Sequence, residues 1–79
     1  MIEDVFIINK IEDKVNEYKK RTGITKKFIA HDMGMSKQAM FTIMKSNNLT
    51  LTTLVKFAHA LKCEPEDLYD YKVMVKDDN

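Results

Sequence analysis

The stretch from Ile24 to Lys45, ITKKFIAHDMGMSKQAMFTIMK, decides the fold. It holds two helix-like segments parted by Gly34 and Ser36, with lysines at both ends and Asp32 as its only acid. Thr25 is a natural N-cap for a helix from Lys26 to about Met33, whose inward face is Ile29, Ala30 and Met33. Ser36 caps the next helix, Lys37 to Lys45, with Met40, Ile43 and Met44 inward. Two readings of so basic a corner compete. Either the second helix is presented to a polyanion, or the corner belongs to a helical bundle coated with lysine for solubility.

Working outward, the residues before the stretch read as one long amphipathic helix from Asp4 to Thr22. Ile8, Ile11, Val15 and Tyr18 form its stripe, Asp4 its cap, and Lys19, Lys20 and Arg21 the basic last turn. Gly23 follows as a left-handed C-terminal residue. Beyond the stretch, Ser46 to Asn48 form a loop, and Thr50 caps a helix from Leu51 to about Lys62 with Leu51, Leu54, Val55, Ala58 and Leu61 on one stripe. Glu64-Pro65 opens a short fifth helix, since proline suits a first helical position, and Leu68 and Tyr71 anchor it. The fold expected is all-α, a compact five-helix domain over residues 1–72. A tail follows at 73–79, which fits a short strand, a helix extension or disorder.

Bulk properties bound what such a chain does. Seventy-nine residues, 44% hydrophobic and 32% charged, make one small soluble domain. The net charge of +1 conceals a strong asymmetry. Residues 19–62 hold nine Lys and Arg against Asp32 alone, whereas residues 1–18 carry −3 and residues 63–79 carry −4. Positive potential is therefore concentrated in the middle, which bears on partners. The single Cys63 leaves no intramolecular disulfide and points to a reducing cytoplasm. No segment reads as a signal peptide or approaches the roughly 20 apolar residues of a membrane span. His59 and Cys63 lie four apart, but no further pair completes a zinc site, so a surface His59 and a packed Cys63 are expected. No catalytic constellation or phosphate loop is present, and no cofactor, metal or small-molecule substrate is expected.

The short glycine turn between the two central helices has the geometry of a helix-turn-helix. The run from Tyr18 to Tyr69 resembles the Cro/repressor-type, XRE-like or lambda-repressor-like DNA-binding domains. The likeness lies in GIT at Gly23–Thr25, Ile29-Ala30, the turn MGMS at Met33–Ser36, LTTLVKFAHAL at Leu51–Leu61 and PEDLY at Pro65–Tyr69. The sequence departs from the family pattern at Lys26, Lys19, Met44 and Ser46, where glutamine, arginine, glutamate and glycine are usual.

The resemblance implies a transcriptional regulator, most simply a repressor, that binds a palindromic double-stranded DNA operator as a homodimer in the cytoplasm of a bacterial or phage-infected cell. Lys37, Gln38 and Thr42 match the family's base-reading positions. Gln38 suits the N6 and N7 of adenine and Lys37 the O6 and N7 of guanine, while Ala39 and Phe41 suit a thymine methyl. Phosphate contacts fall to Thr25, Lys26, Lys27, Ser36, Lys45 and Asn47. Phe41 fits a base contact, a dimer contact or packing against the fourth helix, and Phe28 poses the same question one helix earlier, with packing against the long N-terminal helix or the tail as its alternatives. The apolar segment before Ile8 and the tail after Tyr71 are the candidate dimer surfaces. The alternative is the same fold used as a protein-interaction or antitoxin-like module.

Overall fold

A computed structural model describes residues 1–76 of the chain. Strand β1 (Ile2–Asn9) leads into helices α1 (Ile11–Thr22), α2 (Lys26–Asp32), α3 (Lys37–Met44) and α4 (Leu51–Leu61). A 3₁₀ turn (Pro65–Leu68) then delivers the chain into strand β2 (Tyr69–Val75). The strands pair antiparallel, so a two-stranded ribbon stands on a four-helix body.

The all-α expectation is thereby corrected at both ends. The first helix does not begin at Asp4, and Asp4 caps nothing. Val5, Phe6, Ile7 and Ile8 are β-branched or aromatic residues that favour a strand once a partner strand is available. Ile8, assigned to the helical stripe, is half exposed in β1. The fifth helix shrinks to a single 3₁₀ turn closed by a capping box between Glu64 and Asp67. Tyr71, expected to anchor it, is 60% exposed in β2. Of the expected tail, Val73–Val75 belong to β2, and residues 77–79 lie outside the described residues.

Local chemistry sets each helix boundary. The Asn9 side-chain oxygen accepts the Ile11 N–H, satisfying one orphan donor at the start of α1. Gly23 (φ 77°) ends α1 by donating its N–H to the Lys19 carbonyl. Thr25, Ser36 and Thr50 cap α2, α3 and α4 by accepting from the N–H groups of Phe28, Ala39 and Thr53. Gly34 adopts φ 70° in the α2–α3 turn, where the Met35 N–H returns to the Ala30 carbonyl. That positive φ aims α3 across α2.

The core joins Ile11, Val15 and Tyr18 of α1 to Ile29 and Ala30 of α2, Met40 and Met44 of α3, and Leu54, Phe57, Ala58 and Leu61 of α4, with Leu68 closing it from the 3₁₀ turn. Burying a side chain of Leu or Phe size contributes about 1.5–3 kcal/mol, so this cluster dominates the stability of the body. The stripe expected on α4 needs correction. Leu51 and Val55 are 71% and 49% exposed, while Phe57 is fully buried. A stripe through 54, 57, 58 and 61 fits the helical period equally well, and the bulk of Phe57 sets the rotation.

The ribbon projects from this body. The radius of gyration is 14.7 Å and the extents are 53 × 22 × 16 Å. A compact domain of this length has a radius near ~12 Å.

Candidate nucleic-acid interface

The α2–α3 pair exposes most of the residues expected to contact DNA. Lys37, Gln38, Ala39 and Thr42 are all exposed on α3, and Ser36 is exposed at its cap. Thr25 and Lys27 are exposed at the start of α2, with Lys26 half-buried beside them. Asn47 is exposed in the loop after α3. Of the residues expected to meet bases or phosphates, all but Lys26 and Phe41 are thus exposed. The Thr42 hydroxyl is already engaged, donating to the Gln38 carbonyl within α3 at 3.0 Å.

Phe41 takes a position intermediate between its alternatives. Its ring packs partly against the core, while the Lys26 and Lys37 ammonium groups stand 5.5 and 5.7 Å from its centre. A cation over an aromatic face is attracted by the ring quadrupole. Phe41 therefore gathers a lysine from α2 and a lysine from α3 over one ring, fixing two positive charges on the same surface. Phe28, by contrast, is 60% exposed beside Thr25, Lys27 and His31.

Lys45 is tethered. Its ammonium lies 2.6 Å from Glu12 Oε2 on α1. The Lys45 hydrogen bond, reinforced by its charge, holds the Glu12 carboxyl below the usual carboxylate range. Among the described residues Lys14–Glu17 is the only other ion pair, and neither residue lies on the α2–α3 surface.

One supporting residue was not singled out from sequence. The Asn9 side-chain nitrogen donates to the Ile43 and Ser46 carbonyls at 2.8 and 2.7 Å, closing the C-terminal end of α3. Because its oxygen accepts from Ile11, the three bonds fix the amide orientation and tie β1, α1 and α3 at one point. No sequence signal marks Asn9 for this, since its partners lie 34 and 37 residues away.

Other chemistry is sparse. His59 is exposed and Cys63 half-buried on different sides of the end of α4, and the described residues hold no group of three potential metal ligands. No helix among them is long and apolar enough to cross a membrane.

No curated protein and no solved structure matches the chain. The family described as the Cro/C1-type HTH DNA-binding domain matches residues 14–73, a span that runs from the first turn of α1 into β2 and includes the caps at Thr25, Ser36 and Thr50 and the glycine turns at Gly23 and Gly34. Family members are DNA-binding regulators and not enzymes as a rule. With three quarters of its length accounted for in this way, the chain belongs to the Cro/C1-type helix-turn-helix DNA-binding family.

Proposed function

We propose that this chain is a sequence-specific repressor that inserts α3 into the major groove of double-stranded DNA. The observation that carries the reading is the shared exposure of Lys37, Gln38 and Thr42 on α3, flanked by the lysines of α2. The major groove, about 12 Å wide, admits one helix, and the first residues of that helix meet the base edges. Gln38 reads adenine and Lys37 reads guanine, with Ala39 and the edge of Phe41 against a thymine methyl. Thr25, Ser36, Lys26, Lys27, Lys45 and Asn47 hold phosphates and set the register. A single module of this size covers roughly 600–1,000 Å², so a homodimer on a palindromic operator supplies the remaining affinity. Occupancy of the operator then excludes polymerase.

The test is selection of bound duplexes from a random pool at two salt concentrations, with wild type beside Gln38→Ala. A palindromic site, affinity falling steeply with salt, and relaxed preference at one base position per half-site in the variant are expected, with a loss of about 1–3 kcal/mol on the preferred sequence. No enrichment by wild type sinks the reading.

A second reading, in which the fold serves as a protein-interaction module, draws on Phe28, Leu51 and Val55, exposed at 60%, 71% and 49%. It gains ground only if the selection fails.

A further inference from the structure

The register of the ribbon sorts its side chains into two unlike faces. Val5 pairs with Val73, Ile7 with Tyr71 and Asn9 with Tyr69, so these six share one face. A β-bulge between Ile2 and Asp4 re-phases the strand, and Ile2, paired with Val75, joins the same face. Beyond the root at Asn9 and Tyr69, every residue on it is apolar or aromatic: Ile2, Val5, Ile7, Tyr71, Val73 and Val75. The opposite face pairs Asp4 with Met74, Phe6 with Lys72 and Ile8 with Asp70, placing a charged residue in each pair.

The apolar face is uncovered. Ile2, Val75 and Tyr71 are 60–67% exposed, Val5 and Val73 47% and 39%, and Ile7, near the root, is half-buried. A lone two-stranded ribbon is marginal in water, and monomers seldom leave so large a continuous apolar surface open. Tyr69 at the root packs against the core, so the face is an outward continuation of that core.

We propose that this face is covered by the same face of a second copy of the chain, the two ribbons packing into a four-stranded sandwich about 10 Å thick. The inference rests on the homodimer reading above and names its interface. Three observations select this occupant. The face carries no ionised group, since Asp4, Asp70 and Lys72 lie on the opposite face and Glu3 in the bulge, so it offers no cation to DNA phosphates or anionic headgroups. A face that is apolar throughout is self-complementary under a twofold axis, and homodimer interfaces are the more apolar class. Its six side chains and the flanking Met1 (80% exposed) lie together as apolar surface available for burial, of which a standard interface takes roughly 800 Å² per partner. The ribbon root sits at the C-terminal end of α3, through Asn9, so pairing leaves Lys37 and Gln38 at the other end of the helix free.

Sedimentation equilibrium from micromolar to submillimolar concentration tests this, with far-UV circular dichroism as the check on folding. Wild type is expected as a dimer. Val73→Lys should weaken it at least a hundredfold, and Val73→Thr, which keeps a strand-forming residue, about tenfold. Ile8→Lys on the opposite face, where it meets Asp70, should leave it unchanged. A monomeric wild type overturns the proposal and assigns the face to a different partner. A dimer indifferent to both Val73 variants, or one lost equally in Ile8→Lys, overturns the interface while leaving a homodimer standing. Binding of the Val73→Lys monomer to a single half-site reads DNA recognition separately.

Discussion

The side-chain nitrogen of Asn9, the last residue of β1, donates at 2.8 Å to the carbonyl of Ile43 in the final turn of α3. The last carbonyls of any helix lack intrahelical partners, and here a residue from the ribbon supplies one. With the second bond to Ser46, the amide locks the end of α3 to the strand it hangs from. Asn9→Ala removes both bonds, leaving the Ser46 carbonyl without its Asn9 donor while the Ile43 carbonyl keeps the Ser46 N–H. A loss of about 1–3 kcal/mol in urea denaturation is expected, with Asn9→Asp at least as costly because its carboxylate faces two carbonyl oxygens.

How much of this was legible in the sequence follows from the range of each interaction. Thr25, Ser36 and Thr50 bond three residues ahead, and Gly23 and Gly34 set their own backbone, so caps and turns declare themselves within a few residues. The exposed row Lys37, Gln38 and Thr42 follows from the helical period once the cap is known. The ribbon was missed because β1 finds its partner more than sixty residues later. Ile8, Ile11 and Val15 meanwhile mimic a continuous helical stripe. Val5 to Ile8 do carry a strand signal in four consecutive apolar residues, three of them β-branched. On α4 two stripes fit equally well, and only packing distinguishes the one through Phe57. The lysines over Phe41 come from two helices and required the crossing of α2 and α3 to be known.

Gly34 offers a clean measure of backbone strain. It holds φ 70°, and a Cβ built there meets nothing within 4 Å. Gly34→Ala therefore costs conformational energy without a clash, about 1 kcal/mol, and lowers Tm by about 4–8 °C. Gly34→Asn, which tolerates the left-handed region, is expected to lose less. Calorimetry on the three proteins checks the order.

Glu12 and Lys45 give the stability a pH dependence of known sign. The Glu12 pKa is lower folded than unfolded because Lys45 bonds and attracts its ionised form. Its contribution is thus present above the unfolded value of about 4.3 and is lost as pH falls through the folded value. The midpoint of urea denaturation for wild type should exceed that of Glu12→Gln at pH 7, and the gap should close in strong acid. A gap that widens on acidification refutes the assignment. Both groups are solvent-accessible, so added salt should narrow the gap at pH 7.

The pairing of β1 with β2 also sets an order of events during synthesis. Ile2–Asn9 leaves the ribosome well before its only strand partner among the described residues, Tyr69–Val75. The helical body between them closes through nearer contacts and forms at lower entropic cost. Until Tyr69–Val75 emerges, then, an apolar strand waits without its ladder. The charges of Glu3 and Asp4 stand beside it as gatekeepers against premature pairing with a neighbouring nascent chain.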